Sequence, residues 1–450
     1  MSTSGLEQAR LKMQAAGVNP HAIEAFANRY QQLETGNTGF ISESEAEPVE
    51  DVPHVDELND EPQDSLARVA VIKLNGGLGT SMGLDRAKSL INVRAGNSFL
   101  DIIVQQVRYQ RQKYAVDLPL LFMNSFRTEQ DTRSALAAYA DLDAGFGIDF
   151  LQSQEPKLLA DDLTPVTWEK DPALEWCPPG HGDVFVSLDS SGLLDRLLDA
   201  GYEIAFFSNS DNLGATPDEA IAAWFAQSGA PLCMEVALRT EADVKGGHLV
   251  RIAGNLVLRE VAQIGPDDLA AAGDISKHRF FNTNNIWVNL PALRAKLDEG
   301  VLNLPVIVNR KTVDPTDKNS PAVIQLETAM GAALNILPGS VALEVTRQRF
   351  RPVKTTSDLL VLRSDVFELA DDSSLVQNSV APIVELDERY YQSLADFERR
   401  LGQVPSLREA DRVRIDGDWT FGPGVVLAGD VHLTDDGTPQ QLPAGTRLSG

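Results

Sequence analysis

Four glycines crowd the stretch Leu74-Asn75-Gly76-Gly77-Leu78-Gly79-Thr80-Ser81-Met82-Gly83, and Lys88 follows it. A main chain freed of side chains turns sharply and aims its N–H groups at an anion, so these residues form a candidate phosphate cradle with a cation beside it. The preceding Val69-Ala70-Val71-Ile72 is short, apolar and β-branched, as expected of a strand covered on both faces. A Walker loop is excluded, because Leu84 rather than a lysine follows Gly83. The spacing Gly77-x-Gly79-x-x-x-Gly83 matches a dinucleotide fingerprint in form. No acidic residue ending a second strand follows about twenty positions later. Leu100, Ile103, Val104 and Val107 have helical spacing instead, with Asp101 inside that helix. The remaining alternative is a glycine-rich turn that binds nothing.

Composition narrows what such a cradle could serve. The chain has 450 residues, 43% of them hydrophobic, enough for two or three domains with a large core. Its formal net charge of −26 argues against a nucleic-acid surface, which needs a concentrated basic patch. A nucleotide is not excluded, but two like charges at about 4 Å repel by about 4 kcal/mol at intermediate dielectric. Individual lysines and a divalent metal then become the residues and ions to look for. No apolar run reaches the length of a membrane span and Met1-Ser2-Thr3-Ser4-Gly5 lacks signal-peptide character, so the expectation is a cytoplasmic protein without a membrane partner. Cys177 and Cys233 have no metal-ligand spacing around them and read as buried, reduced side chains.

The elements that must position the cradle can be read in outline. Ile23, Phe26, Tyr30 and Leu33 form one helical stripe, with Asn19-Pro20 separating two short helices over 5–34. Thr35 to Ser65 is acidic (Glu43, Glu45, Glu47, Glu50, Asp51, Glu57, Asp60, Glu61) and reads as a solvated connector or wrapping arm. From Ala67 to about Ser340 strands and helices alternate. Strands are expected at 69–74, 118–123, 148–151, 202–208 and 231–238, and helices at 99–113 and 216–228, the second with Thr216 as N-cap, Pro217 at the first helical position and Glu219 completing a capping box. This alternation predicts an α/β fold with an open, mostly parallel sheet, whose ligands bind beyond the strand C-terminal ends. Residues 246–264 read as a hairpin turning at Gly254-Asn255. Near the C-terminus Val413, Trp419, Val425 and Val431 recur every six residues, as do Ile415, Phe421, Leu427 and Leu433. That hexapeptide period predicts a short β-helix, interrupted by Asp435 to Gln441; an ordinary antiparallel sheet is the alternative.

Seven separated segments agree on one family. They are 73–83, Pro178-Pro179-Gly180-His181-Gly182-Asp183, Asn209-Ser210-Asp211-Asn212-Leu213-Gly214-Ala215, Ala242-Asp243-Val244-Lys245-Gly246-Gly247, Phe281-Asn282-Thr283-Asn284-Asn285-Ile286-Trp287, Val323-Ile324-Gln325-Leu326-Glu327-Thr328 and Arg349-Phe350-Arg351-Pro352-Val353-Lys354. In this order the chain resembles the eukaryotic-type UTP–glucose-1-phosphate uridylyltransferases, the UDP-glucose pyrophosphorylases. The resemblance implies a Rossmann-like (GT-A-like) nucleotidyltransferase mixed sheet with helices on both faces, followed by a small left-handed β-helix. It divides the chain into an N-terminal helical segment and connector (1–66), a catalytic domain (67–365) and a C-terminal domain (366–450) with the β-helix at about 411–450. Three departures from the family pattern stand out: Arg86-Ala87-Lys88-Ser89 replaces Gly-Pro-Lys-Ser, Ser210 stands where an aliphatic residue is frequent, and Arg127 where Asn is common.

The implied reaction joins UTP and glucose 1-phosphate into UDP-glucose and pyrophosphate, by positioning and charge neutralisation with Mg²⁺. By the same resemblance Lys88 and Lys354 are catalytic and Asp211 holds the metal. The nucleotide falls to main-chain groups of Leu74, Asn75, Gly76, Gly77 and Gly180, with Gln152, and to Gly79, Thr80 and Asn209. The sugar phosphate falls to His181, Gly246, Gly247, Glu260, Asn282 and Asn284. The amide of Gln152 can both donate and accept, which suits the uracil imide edge, and asparagines suit vicinal hydroxyls. Each assignment has a plainer rival: a surface lysine, a turn-capping aspartate, a solvated glutamine, a structural histidine. Other readings stay open, namely a uridylyltransferase for another hexose or N-acetylhexosamine 1-phosphate, a non-catalytic sugar-nucleotide-binding protein, and, more distantly, a dinucleotide-dependent oxidoreductase. Nothing in the residues fixes the oligomeric state; a homo-oligomer is compatible with them.

Overall fold

A computed structural model of the chain describes residues 4–36, 39–58, 64–240, 243 and 246–450. Asp60 and Glu61 of the acidic segment and Ala242, Val244 and Lys245 of the fourth matching segment lie outside the described residues, as do the first three residues.

Two helices open the chain, α1 (Gly5–Ala15) and α2 (Pro20–Thr35). Between them Asn19 caps α2 by accepting from the His21 N–H at 2.9 Å, and Pro20 takes the first helical position where its missing N–H is harmless. A ten-stranded sheet follows. Its members, in chain order with the helices that matter here, are β1 (Glu47–Pro48), β2 (Val69–Asn75), α3 (Phe99–Tyr114), β3 (Leu120–Asn124), β4 (Asp149–Leu151), α4 (Val184–Ser190), β5 (Ile204–Asn209), α5 (Glu219–Ser228), β6 (Leu232–Leu238), β7 (His248–Ile252), β8 (Asn255–Arg259), β9 (Phe280–Asn289) and β10 (Val341–Glu344). All seven residues of β2 are buried, because the chain packs α3 on one face and α4 on the other. Asp101 is the reciprocal member of a capping box with Ser98 at the start of α3.

The spatial order is β1-β7-β9-β5-β2-β3-β4, with β6 pairing β9 and β10, and β8 pairing β7. Strands β5, β2, β3 and β4 are parallel, which puts their C-terminal ends on one side. The expectation of a mostly parallel sheet holds only for that half. Long strand β9 runs antiparallel to β5, β6 and β7, so the sheet is mixed. The hairpin turns one residue earlier than the sequence suggested, at Ala253-Gly254, both with positive φ (48° and 82°), as a tight two-residue turn requires. Helix α5 likewise starts later than expected: its N-cap is Asp218, which accepts from the Ile221 N–H, and Thr216 lies outside the helix.

The acidic segment is not simply solvated. Its β1 extends the sheet edge beside β7, and Glu43 meets the fully buried Arg259 at 2.5 Å, with Lys277 and His278 on its other oxygen. Arg259 also donates to the Ile41 carbonyl. A guanidinium buried at the foot of β8 needs a counter-charge, and the arm is what supplies it.

At the C-terminus, strands β11 (Ser406–Ile415), β12 (Trp419–Phe421), β13 (Val426–Leu433), β14 (Gln440–Leu442) and β15 (Arg447–Ser449) pair only in parallel, β11 with β13, β13 with β15, and β12 with β14. Val413 faces Val431 and Ile415 faces Leu433, a step of three hexapeptides, which rules out the antiparallel alternative. Phe421 to Leu442 takes half a unit more, the excess falling in the 435–441 segment. One buried cluster runs unbroken from Val71 of the sheet and Phe99 of α3 through Leu359 and Phe397 to Val413 and Leu442. Both cysteines are buried and unpaired, and burial pushes each thiol well above its usual pKa.

Burial pushes the Glu43 carboxyl up, but bonds from Lys277, His278 and Arg259 outweigh it and hold the pKa down to about 2. Its contribution is therefore complete above the unfolded glutamate value and is lost as pH falls toward 2. Glu43→Ala should lower the unfolding free energy at pH 7 by about 2 kcal/mol, less than a fully buried pair because Glu43 is partly exposed and Asp268 stands by as second acceptor. Urea unfolding checks this; a change below about 0.5 kcal/mol would return the arm to the class of solvated surface segments.

Candidate active site

The C-terminal ends of β2, β3 and β5 meet around one side chain. Asn75 Nδ2 donates to Asn124 Oδ1 and to Thr132 Oγ1, each at 2.8 Å, while Asn75 Oδ1 lies 3.0 Å from the Ser210 hydroxyl. Ser210 also approaches the Leu74 carbonyl at 2.8 Å. The Asn75 amide is thus spent on tying strand ends together and is buried; of this expected ligand residue only the main chain is left for a ligand. Asn209 closes the same junction, in parallel register with Leu74 and with its carbonyl accepting from the Asn212 N–H.

Beyond Asn75 the chain passes under Gln152. A Cβ at Gly76 would lie 2.7 Å from Gln152 Nε2, so the amide rests directly over this glycine and would have to shift to admit a larger residue. At Gly77 a Cβ would meet nothing, which leaves the cradle open on that side. The loop then closes on itself: Leu78 bridges Ala87, Leu84 N–H donates to the Gly79 carbonyl, Gly83 takes φ 70°, and Lys88 N–H returns to the Gly77 carbonyl at 3.3 Å. Ala87 retains an N–H that a proline would lack, and it reaches Asp131 Oδ2 at 3.5 Å. Thr80 begins the exposed turn at the loop's tip.

That closure delivers Lys88 to Asp211. Their side chains meet at 2.6 Å, and Lys88 Nζ also donates to the Val353 carbonyl. Asp211 Oδ1 is buried and has no hydrogen-bond partner. The 349–354 segment is held against the same turn by Asn212, whose Nδ2 donates to the Arg349 carbonyl at 3.0 Å and whose Oδ1 accepts from the Arg351 N–H at 2.8 Å. Lys354 follows, exposed, with its N–H bonded to Asp358. Beneath lies an ion pair that sequence reasoning missed: Arg349 grips Glu235 through two bonds of 2.8 and 2.6 Å, and Glu235 also accepts from Asn285 and Trp287. Its signal was in plain view, since Glu235 is the one charge in the apolar run Leu232 to Leu238.

Gly180 and His181 are seated against the 327–330 segment. Gly180 has φ 79°, and a Cβ there would press the Thr328 carbonyl at 2.5 Å, so it requires glycine twice over. His181 Nδ1 accepts from the Met330 N–H at 3.1 Å, which assigns the ring proton to Nε2. Burial pulls its pKa down to about 4, so the ring is neutral at neutral pH.

The remaining expected residues converge on a bulge. Between Glu235 and Val236 the pairing of β6 with β9 skips from Asn285 to Asn282, leaving Thr283 and Asn284 as extra residues. Asn284 adopts φ 58°, stabilised by Asn282, whose Oδ1 accepts the Asn284 N–H and whose Nδ2 donates to Asn284 Oδ1. A Cβ at Gly246 would run into the Phe281 ring at 1.8 Å, and one at Gly247 would sit 2.5 Å from Glu260 Oε2. Burial raises the Glu260 pKa, opposed by a hydrogen bond from Asn282 and by the charge of Lys354, which ties this group to the cation end of the site. Glu260 also opens the turn Val261–Gln263, its N–H donating to Gln263 Oε1 and its carbonyl accepting from the Gln263 N–H, each at 2.8 Å.

Comparison with known proteins agrees with this geometry. The family model described as UTP–glucose-1-phosphate uridylyltransferase matches residues 22–428. The UTP–glucose-1-phosphate uridylyltransferase of Hordeum vulgare is 41% identical over 390 residues, 85% of this chain and 81% of its own. A point mutant of Leishmania major UDP-glucose pyrophosphorylase in complex with UDP-glucose superposes with TM-score 0.94 at 41% identity, covering 100% of this chain and 99% of its own. The UDP-glucose phosphorylase of Trypanosoma brucei gives 0.93 at 42% identity, with 99% and 98% covered. Matched by the family model over residues 22–428 and by relatives about 40% identical over most of its length, this chain belongs to the UTP–glucose-1-phosphate uridylyltransferase family.

Proposed function

We propose that the chain transfers UMP from UTP to glucose 1-phosphate. A phosphate oxygen of the sugar phosphate attacks the α-phosphorus of UTP, a new P–O bond forms, the bond to the bridging α–β oxygen breaks, and pyrophosphate leaves. No protein nucleophile or base is needed, since the attacking group is already an anion; the work is alignment and charge neutralisation. The observation that carries this reading is the convergence of Lys88, Asp211 and the Lys354 segment at the mouth of a glycine loop.

Lys88 clamps the triphosphate from below the loop, and Lys354 reaches phosphates of both substrates from the opposite side. The main chain of Leu74 to Gly77, Gly79 and Gly180 reads the nucleotide with Gln152, while His181, Gly246, Gly247, Glu260, Asn282 and Asn284 receive the sugar phosphate. Mg²⁺ fits Asp211, whose Oδ1 is buried and unpartnered, and no cluster of three or more His, Cys, Asp or Glu able to hold a metal occurs among the described residues. An ion held by one carboxylate and substrate phosphates is ordinary for Mg²⁺, and it supplies charge neutralisation at those phosphates. The same proposal assigns residues 67–365 to catalysis and residues 366–450 to a C-terminal domain whose parallel coils form a left-handed β-helix. A cytoplasmic location completes the reading.

Pyrophosphate release from UTP with a panel of sugar 1-phosphates should give turnover with glucose 1-phosphate and Mg²⁺; no turnover in either direction would overturn the proposal. Lys354→Ala removes one charge-assisted contact with the departing pyrophosphate and should lower kcat about a hundredfold, about 3 kcal/mol, while circular dichroism stays unchanged. A mutant within threefold of wild type would remove Lys354 from the reaction. Asp211→Ala should raise the Mg²⁺ concentration for half-maximal rate and depress the maximum; an unchanged metal titration would leave Asp211 as a partner of Lys88 alone. Gln152→Ala leaves donors and acceptors on the base unpaired, at about 1–3 kcal/mol for each neutral group, and should narrow the preference for UTP over CTP and ATP in kcat/KM. An unchanged preference would make Gln152 structural.

A further inference from the structure

Arg29, on α2, is buried and reaches across to Glu155 at 2.6 Å. Glu155 lies three residues beyond Gln152 in the strand that leaves the sheet after β4. The same guanidinium faces Asp183, three residues beyond Gly180, whose Oδ2 accepts from the Ser153 N–H and the Ser187 hydroxyl, each at 2.6 Å. Asp183 therefore staples the Gly180 loop to the residue next to Gln152, and Arg29 is the cation facing both buried carboxylates. Arg29 Nε, Glu155 Oε1 and Asp183 Oδ1 are buried without a hydrogen-bond partner. A second contact from α2 acts in the same direction. Gln32 bonds the Leu304 carbonyl and the Val306 N–H, and the Leu304 side chain presses on Gly182, where a Cβ would lie 2.9 Å from it. Ala22 and Ala25 of α2 pack on Val186 of α4, the helix that Asp183 begins.

We propose that α2 is a working part of the nucleotide site and that Arg29 is a positioning residue, holding the loops of Gln152 and Gly180 at the separation that a uracil requires. This rests on the base-reading role given above to Gln152 and Gly180. The physical reason is that two carboxylates this close need a fixed cation. Burial pushes Glu155 up to about 7 even with Arg29 beside it, and raises Asp183 as well. Without the guanidinium the pair repels or takes up protons, and the loops they anchor move apart. Lys88, Asp211 and Lys354 are held by other bonds, so the phosphate chemistry should survive the loss.

The test is steady-state kinetics of Arg29→Met, Arg29→Lys, Glu155→Gln and Gln152→Ala in the full chain, with UTP, CTP and ATP as alternative substrates, beside their melting temperatures. Arg29→Met should raise KM for UTP about tenfold and lower the UTP-to-CTP ratio of kcat/KM, leaving KM for glucose 1-phosphate within twofold and kcat at saturating UTP within threefold. Arg29→Lys should restore most of the loss in KM, and Glu155→Gln, which removes charge without volume, should reproduce it in milder form should Arg29→Met fail to fold. A fall in melting temperature with UTP affinity and base preference unchanged would overturn the proposal and leave Arg29 a structural residue. If Gln152→Ala alters base preference and the Arg29 and Glu155 variants do not, the base site stands and the positioning role falls. If none of the variants alters it, both fall together.

Discussion

The buried pairing of Glu235 with Arg349 is the constraint on which the site's geometry depends. Glu235 is wholly buried in β6, and its two oxygens take bonds from Arg349, Asn285 and Trp287. An ionised carboxylate in that position is tolerable only with such saturation, and losing one partner costs about 3–5 kcal/mol. What the saturation fixes is a junction of three segments. Arg349 starts the stretch that ends at Lys354, Asn285 belongs to the strand that bulges at Asn284, and Asn212, which also bonds the Arg349 carbonyl, is the neighbour of Asp211. One ion pair thus sets the relative positions of the candidate metal ligand Asp211, the segment ending at Lys354 and the bulge at Asn284. None of these residues could be shifted singly without unpairing something buried.

A second constraint is electrostatic scarcity. A chain with net charge −26 has to receive a triphosphate and a sugar phosphate together. Lys88 is kept from repelling or drifting by being held between Asp211 and the Val353 carbonyl, so the cation waits in a fixed place. Lys73, by contrast, is entombed against Ser208 and the Ala215 carbonyl, and burial brings its pKa down to about 7. Two lysines of one sequence motif therefore have opposite fates. Proximity in sequence to a glycine loop does not by itself make a lysine a ligand.

The sequence made the strands and the glycine loop legible because they obey local rules: an apolar β-branched run for β2, an apolar aromatic one for β5, and glycines where the chain turns or meets the Thr328 main chain closely. The hexapeptide spacing likewise foretold the parallel register of Val413 on Val431. Antiparallel β9 was not legible, since FNTNNIWV carries no sign of direction and its bulge is fixed only by pairing with β6. Asn75 was read as a main-chain contributor to the nucleotide site; that its amide is consumed by Asn124 and Thr132 depends on two distant segments and could not be read. The acidic arm was read from composition, which cannot see that Arg259 needs Glu43. Each miss is a buried polar group whose partner lies far away in the chain, where local pattern is silent and the demand for satisfaction decides.

These two kinds of constraint divide the site. Where a ligand must be approached closely, the chain offers glycines and main-chain groups: Gly76 under an amide, Gly180 and Gly182 against Thr328, Gly246 against Phe281. Such contacts tolerate almost no added volume, so they set shape. Where charge must be met, the chain uses few side chains, Lys88 with its partner Asp211 already in place. Shape is therefore rigid and local, whereas charge is relayed through the ion pairs of Glu235 and Glu155 to elements as remote as α2. A substitution at a glycine should then act on which substrate fits, and one in an ion pair on where the loops stand. The surface of α2, unlike its Arg29 face, bears on neither.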